Sequence, residues 1–167
     1  VLQAWKDALA ADPLSAFGGV LICNKTIDEA TAREIDELFY EVLIAPSFSD
    51  SALAVLSAKK NRILLQLHTY PKATQQVKSI LDGYIVQDMD HMTLDMATIK
   101  EATNRKPTKT EMDDLLYANI CVKHLKSNGI ALVRNGQLLG MGCGQTSRVD
   151  SLRHAILKAN SFGLDLH

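Results

Sequence analysis

The stretch Lys126–Asp150, which reads KSNGIALVRNGQLLGMGCGQTSRVD, decides how this chain folds. At its centre stands Asn135-Gly136, a pair typical of a two-residue hairpin, because a type I′ turn requires positive φ at both central residues. The residues on either side are mostly apolar. We therefore expect two antiparallel strands that pair across this turn.

A glycine-rich segment, Gly140–Gly144, follows the second strand, and we interpret it as a loop. Ser147 and Asp150 then have the spacing of a capping box, so a helix is expected to begin at Arg148. A helix N-terminus of this kind presents free backbone N–H groups and about half a positive charge. The segment therefore suits an anionic or strongly polar ligand.

The helix that precedes the hairpin is expected to begin at Thr110, with Asp113 as its capping-box partner. Asn128-Gly129 is expected to end it, since both residues tolerate the left-handed conformation that often follows a helix. The apolar residues of this helix form a stripe wide enough for a largely buried helix, and they are Met112, Leu115, Leu116, Ala118, Val122 and Leu125.

Upstream of residue 68, helices alternate with short apolar runs. Such runs are typical of a parallel sheet covered by helices on both faces, so the predicted fold class is α/β. We interpret Lys59, Lys60 and Arg62 as a solvated entry to the third strand. The helices are predicted at residues 2–11, 28–39 and 49–59, and the strands at 20–23, 41–46 and 63–67. The less regular part that follows contains a predicted strand at 83–87 and a short helix at 93–103.

The composition is that of a globular protein, with 47% apolar and 22% charged residues among 167. Lys and Arg number 18 against 19 Asp and Glu, so the net charge gives no reason to expect binding to nucleic acid or to a membrane. Three widely spaced cysteines suit a reducing cytoplasm better than a disulfide framework. Because the chain begins at Val1 and stops directly after an apparent helix, we expect it to be a piece of a longer protein.

Two kinds of site can be tested against the sequence. A zinc nucleobase deaminase requires a His-x-Glu segment and a Pro-Cys-x-x-Cys segment, and neither is present. His68, His91, His124, His154 and His167 have no spacing that would place two metal ligands on one helix face, so we expect no metal. The glycine segment lacks the Lys-Ser/Thr of a P-loop.

Three polar residues at the ends of predicted elements are candidates for ligand binding. Asp12 is either a residue of the turn after the first helix or a ligand to a substrate, and Asn128 is either a helix cap or such a ligand. Arg148 opposes the helix dipole at a cost of about 0.3 to 1 kcal/mol, so either an anionic or polar partner favours it there or it is simply solvated. From the residues alone, the chain has a nucleotide-sized polar site and no complete catalytic set.

Five segments in order give the chain a family resemblance. They are Asp12-Pro-Leu-Ser-Ala-Phe-Gly-Gly, Ile44-Ala-Pro, Lys59-Lys-Asn-Arg, Val122-Lys-His-Leu-Lys-Ser-Asn and Gly142-Cys-Gly-Gln-Thr-Ser-Arg-Val-Asp. Together they resemble the 5-aminoimidazole-4-carboxamide ribonucleotide (AICAR) formyltransferase domain of the bifunctional PurH family of purine-biosynthesis enzymes, which also carries an IMP cyclohydrolase.

This resemblance implies a fold of two tandem cytidine-deaminase-like copies without zinc. Residues 1–80 would be the later part of the first copy, 81–109 a connecting segment, and 110–167 the opening helix, hairpin and helix of the second. The implied reaction transfers a formyl group from 10-formyltetrahydrofolate to the 5-amino group of AICAR. A homodimer is implied as well, because the family's sites lie at a dimer interface.

The resemblance also assigns site residues. Asp12, Asn128 and Arg148 match positions that contact the AICAR nucleotide, and Val149 matches a position beside the folate. The family's catalytic Lys-His-x-x-Pro-x-Gly stretch and its Ser-Asp-Ala-Phe-Phe-Pro-Phe stretch are absent, and Lys123-His124 lies in a different segment. We therefore expect the isolated piece to contribute substrate contacts and to catalyse nothing. The alternative is a non-catalytic nucleotide-binding or scaffold module with a zinc-free deaminase-like fold.

Overall fold

A computed structural model describes residues 1–166 of the chain and confirms the mixed α/β class. Within this range no helix is long and apolar enough to cross a membrane. A short 3₁₀ turn at Met96–Thr98 replaces the helix predicted at 93–103. The helices and strands in order are α1 (Leu2–Ala11), β1 (Gly19–Ile22), α2 (Glu29–Asp36), β2 (Tyr40–Ala45), α3 (Asp50–Leu56), β3 (Ile63–Gln66), β4 (Gln75–Ile80), β5 (Gly83–Asp88), α4 (Lys109–Lys123), β6 (Ile130–Arg134), β7 (Gln137–Gly142) and α5 (Arg148–Ser161).

The first half of the chain builds the predicted parallel sheet, in the order β1-β2-β3. Paired residues of neighbouring strands share a face, so Leu21, Leu43 and Leu64 lie side by side. A register shift after Gly19 pairs Tyr40 with that glycine. Gly19 lies on the same face as Leu21, so Tyr40 lies on the same side of the sheet as Leu43. Helices α1, α2 and α3 pack on this side, and the buried core consists of Ile27, Ala32, Ile35, Tyr40, Leu43, Ala45, Ala52 and Leu56.

The opposite face of this sheet was predicted to be covered by helices, and in the described chain that prediction is wrong. Val20 is 64% exposed and Ile22 is 69% exposed, and Ile63 and Leu65 on β3 are also exposed. The physical reason is that the helices of the first half all pack on the side of Leu43. Within residues 1–166, the other apolar face is open.

Arg62 is not the solvated residue that the sequence suggested. Its side chain is only 3% exposed, and its guanidinium pairs with the carboxylate of Asp36. It also donates at 2.9 Å to the backbone oxygens of Asp36 and of Leu38, and it lies 4.3 Å from the ring centroid of Tyr40. A cation that binds the last carbonyls of a helix satisfies groups that the helix leaves unpaired. Arg62 therefore fastens the end of α2 to the start of β3, while Lys60 remains exposed.

Residues 75–88 form a strand pair that the sequence predicted only in part. The strand predicted at 83–87 is β5, and it pairs with β4, which was not predicted. Within the described chain these two strands form a separate two-stranded sheet, and nearly all of their residues are exposed.

Helix α4 begins and ends at other residues than predicted. Its capping box joins Thr108 and Glu111, not Thr110 and Asp113, and the helix therefore begins at Lys109. It ends at Lys123 with His124 as the cap, because the backbone closes there through short bonds such as His124 N to Cys121 O at 3.1 Å. Asn128-Gly129 is thus not the end of this helix.

The burial of α4 also differs from the prediction. Within the described chain none of its residues is fully buried, and Leu115 is 55% exposed. The apolar stripe is present in the sequence, but β6 is the main element that packs on it. Most of the stripe is therefore only partly buried in the described chain.

The hairpin has the predicted turn, with φ values of 51° at Asn135 and 73° at Gly136. A contact that the sequence did not predict holds it in place. Both oxygens of the Asp114 carboxylate on α4 accept hydrogen bonds at 2.8 Å, one from the backbone N–H of Asn135 and one from that of Gly136. The turn is thereby fixed to the preceding helix.

Gly140 and Gly142 belong to strand β7. The prediction that they form part of a ligand-binding loop is therefore wrong. A Cβ atom at Gly140 would lie 2.2 Å from the backbone oxygen of Ala155, and one at Gly142 would lie 2.0 Å from that of Ser151. Helix α5 meets the strand with residues spaced four apart, and Ser151, Ala155 and Ala159 are fully buried. The glycines therefore allow a helix backbone to lie directly on a strand.

We predict that Gly142→Ala destabilises the fold by about 3 kcal/mol or more, because α5 must move away from β7 to admit the methyl group. Urea denaturation followed by circular dichroism measures this change. Gly83→Ala is the matched control, since a Cβ there would lie 3.9 Å from its nearest neighbour. Equal midpoints for the two variants would contradict the packing role of Gly142.

We predict that Arg62→Met lowers the free energy of unfolding by about 3 kcal/mol, because the backbone oxygens of Asp36 and Leu38 lose their buried donor and the Asp36 carboxylate keeps only its more exposed partner, Lys59. Trp5 is the single tryptophan and packs against the core, so its fluorescence follows unfolding. Lys60→Met, two residues away, is expected to change stability by less than about 0.5 kcal/mol. A change below about 0.5 kcal/mol in both variants would contradict the buried role of Arg62 and favour the solvated entry that the sequence suggested.

Candidate functional site

The segment before β6 and the loop after β7 are joined by hydrogen bonds centred on Asn128. The backbone N–H of Gly144 donates to Lys126 O at 2.8 Å, and that of Asn128 donates to Gln145 O at 3.2 Å. The side-chain Nδ2 of Asn128 donates to the backbone oxygens of Gln145 and Thr146, at 3.1 and 3.2 Å. Asn128 is therefore fixed against the loop that leads into α5.

Helix α5 begins at Arg148, as the sequence predicted. The hydroxyl of Ser147 accepts the backbone N–H of Asp150 at 3.1 Å and donates to the Asp150 carboxylate at 2.7 Å. Arg148 is exposed and makes no hydrogen bond or ion pair to any residue within 1–166, and its neighbour Val149 is also exposed. A guanidinium thus stands free at the first turn of the helix, available to a ligand.

Asp12 lies at a different place. It caps the C-terminus of α1, its Oδ1 accepts the backbone N–H of Ser15 at 3.0 Å, and its Oδ2 lies 2.7 Å from Nζ of Lys158. Lys158 is ten residues after Arg148 on α5, which corresponds to about 15 Å along the helix axis. The structure therefore brings Asn128 close to the start of α5 and places Asp12 towards the other end.

The electrostatics of Asp12 follow from this pair. Partial burial alone would raise the pKa of its carboxyl group, but the hydrogen bonds from Lys158 and Ser15 outweigh that effect. The pKa of Asp12 therefore lies below its ordinary value, and the group is a carboxylate at neutral pH. A ligand that approaches Asp12 meets a carboxylate already shared with an ammonium group.

Sequence reasoning missed the two α5 residues that connect these positions. Ser151 is fully buried and donates its hydroxyl to Asn128 O at 2.6 Å, and Lys158 pairs with Asp12. The spacing of Ser151, Ala155 and Ala159 could have indicated a packing face. No local signal connects Lys158 to a residue 146 positions earlier in the chain.

The histidines and the Lys-His pair are not gathered into a centre. In the part of the chain that the structure describes, no three His, Cys, Asp or Glu side chains are arranged to hold a metal ion. His154 Nδ1 lies 3.3 Å from Gln145 Nε2, and His167 lies outside the described residues. Lys123 donates to Met92 O at 2.9 Å, while His124 caps α4. Lys123 and His124 therefore make structural contacts in this chain.

A family model described as the AICARFT/IMPCHase bienzyme matches residues 1–158. The chain belongs to this family. It is 51% identical over 167 residues to the bifunctional purine biosynthesis protein PurH of Bacteroides thetaiotaomicron, covering 100% of this chain and 33% of that protein. The PurH protein of Aquifex aeolicus is 45% identical over 166 residues, which cover 99% of this chain and 32% of that protein. This AICARFT/IMPCHase chain thus spans about a third of the length of these relatives.

We predict that the pKa of Asp12 rises when Lys158 is replaced by Met, because the carboxylate loses its cation while its partial burial remains. An NMR titration of the side-chain carboxyl carbon measures this change. Since the folded-state pKa is lowered, the pair stabilises the fold above the ordinary value of 3.8 and loses that contribution as the pH falls through the lowered pKa. Lys6→Met, which removes a surface partner of Glu34, is the control. An unchanged Asp12 pKa in Lys158→Met would contradict the ion pair.

Proposed function

We propose that this chain is part of an enzyme that transfers a formyl group from 10-formyltetrahydrofolate to the 5-amino group of AICAR, in the synthesis of IMP. The observation that carries the proposal is the family match across residues 1–158, and the similarity to PurH proteins along the whole chain supports it. We assign the IMP cyclohydrolase activity to a domain outside this chain. The layering of two tandem zinc-free deaminase-like copies, divided at residues 1–80, 81–109 and 110–167, is part of the same proposal.

The reaction is demanding because the amine of AICAR is a poor nucleophile. Its lone pair is delocalised into the imidazole ring and the carboxamide. As the bond from the amine nitrogen to the formyl carbon forms, a proton must leave that nitrogen and the formyl oxygen gains negative charge. Orientation, proton removal and stabilisation of this oxygen are therefore required.

We assign substrate contacts to Asn128 and Arg148, which the fold holds near each other. An exposed guanidinium presents several donors in a planar fork, which suits the oxygen of a carboxamide or a phosphate. Val149 follows Arg148 on an exposed turn and is assigned to the folate side. Asp12, which follows α1, is a third proposed contact. Its carboxylate would interact both with Lys158 and with a hydroxyl or amine of the ligand.

The proton-transfer groups are assigned to the part of the protein outside this chain. The family's Lys-His-x-x-Pro-x-Gly stretch is absent from the sequence, and Lys123 and His124 have contacts of their own. The isolated chain is therefore proposed to bind without catalysing. We also propose a homodimer and a cytoplasmic location, the latter supported by three unpaired cysteines.

We predict that Arg148→Ala in the full-length enzyme weakens AICAR binding at least about tenfold, because charge-assisted hydrogen bonds are lost. Isothermal titration with AICAR and the formylation rate measure the effect. Arg153→Ala is the matched control, since Arg153 lies on the same helix and pairs only with Asp150 on the surface among the described residues. If AICAR binds normally to Arg148→Ala, or if the enzyme does not formylate AICAR, the proposal fails and the non-catalytic binding module becomes the better interpretation.

A further inference from the structure

We infer that Ser151 is a positioning residue for substrate binding: it holds Asn128 so that the side-chain oxygen of Asn128 faces the ligand as a hydrogen-bond acceptor. This inference deepens the proposed function and rests on it. It is carried by the hydrogen bonds around Asn128 and by the burial of Ser151.

The Asn128 amide has one orientation, which its hydrogen bonds fix. Its Nδ2 atom has two hydrogens, and they point to the backbone oxygens of Gln145 and Thr146 at 3.1 and 3.2 Å. Two carbonyl oxygens accept hydrogen bonds and cannot donate them, so the amide nitrogen must face them and the opposite orientation is excluded. Both donors of the side chain are therefore used inside the protein.

The side-chain oxygen of Asn128 is left for a ligand. Among residues 1–166, Asn128 Oδ1 receives no hydrogen bond, and the residue is partly exposed. An amide oxygen accepts hydrogen bonds only. A ligand at this position must therefore donate, through an amine, the NH₂ of a carboxamide, or a hydroxyl. Arg148, by contrast, can only donate, so the two residues require opposite groups on the same ligand.

Ser151 joins helix α5 to Asn128. Its side chain is completely buried, and its hydroxyl points away from the α5 backbone and donates to Asn128 O at 2.6 Å. Serine hydroxyls inside helices commonly bond to a carbonyl of their own preceding turn, and this one bonds across to another segment. Ser151 lies three residues after Arg148, so this bond sets the distance between the acceptor at Asn128 and the donor at Arg148.

The hydrogen bonds around Asn128 therefore have two separate roles. The carbonyls of Gln145 and Thr146 orient the Asn128 side chain, and Ser151 fixes the Asn128 backbone to the first turns of α5. Removing the hydroxyl leaves the helix in place, because Ala155, Ala159 and the two strand glycines still pack. The spacing of the two ligand contacts then depends only on the bonds between Asn128 and the loop at Gln145 and Thr146, and no bond joins Asn128 to the helix itself within residues 1–166.

The experiment uses the full-length enzyme with Ser151→Ala, which keeps the helix and removes only the hydroxyl. We expect the KM for AICAR to rise about five- to tenfold, as the loss of one hydrogen bond implies, with kcat changed less than about twofold and with the KM for 10-formyltetrahydrofolate unchanged. Ser161→Ala is the matched control, since that hydroxyl bonds to Lys158 O at the far end of the same helix.

A second variant tests the orientation of the amide. Asn128→Asp keeps an acceptor oxygen but places a second oxygen against two carbonyls, so we expect it to weaken AICAR binding as much as Asn128→Ala does. Ser151→Thr retains the hydroxyl and should restore the AICAR KM if its methyl group is accommodated. If neither Ser151 variant folds, the AICAR affinity of Asn128→Asp tests the predicted role of the Asn128 side chain.

The outcomes separate the inference from the proposed function. If Arg148→Ala weakens AICAR binding while Ser151→Ala lowers only the thermal midpoint, or raises both KM values together, Ser151 is structural and the inference is overturned. Near wild-type AICAR affinity in Asn128→Asp overturns it as well. If neither Arg148→Ala nor Ser151→Ala affects AICAR binding, the proposed function itself fails.

Discussion

The close contact between strand β7 and helix α5 determines the geometry of the second half of the chain. Backbone oxygens of Ser151 and Ala155 occupy the space where side chains at Gly142 and Gly140 would stand. No larger residue fits at either strand position unless the helix moves. Because α5 carries Arg148 at its start and Lys158 near its end, this packing sets where both cations lie.

The two ends of α5 serve the proposed site. Its first turns hold Asn128 through the Ser151 hydroxyl and present Arg148, while its later part holds Asp12 through Lys158. Helix α1 also contacts the hairpin directly, since Gln137 Nε2 donates to Asp7 O at 2.7 Å. The polar residues that the family resemblance assigns to one nucleotide therefore belong to three segments, which meet α5 at different points along its length. We propose that a substrate, or the rest of the protein, spans the distance between them.

The family membership bears on the exposed apolar surfaces of the chain. Apolar side chains are exposed on one face of the parallel sheet, on the β4-β5 pair, and on α4 at Leu115, Tyr117 and Ile120. The chain spans about a third of the length of its relatives. Parallel sheets are normally buried on both faces. The motif Lys59-Lys-Asn-Arg gains a structural explanation as well, because Arg62 fastens α2 to β3 and does not reach towards a ligand.

The sequence by itself determined the elements whose signals are local. The Asn135-Gly136 turn, the start of α5 at Ser147 and the three parallel strands follow from turn chemistry, capping and short apolar runs, and the structure has them. The capping box of α4 was misplaced by two residues because Thr108 and Thr110 offer competing caps of similar form. The sequence also identified the family, through five motifs in order.

Only the tertiary structure decided what depends on partners far apart in the chain. It placed Gly140 and Gly142 under a helix, buried Arg62 against Asp36, paired Asp12 with Lys158 and joined Ser151 to Asn128. Each of these contacts connects residues whose separation in sequence carries no periodic signal. A glycine needed for close packing and a glycine needed for a loop look alike in sequence, because the difference lies in the backbone that approaches it.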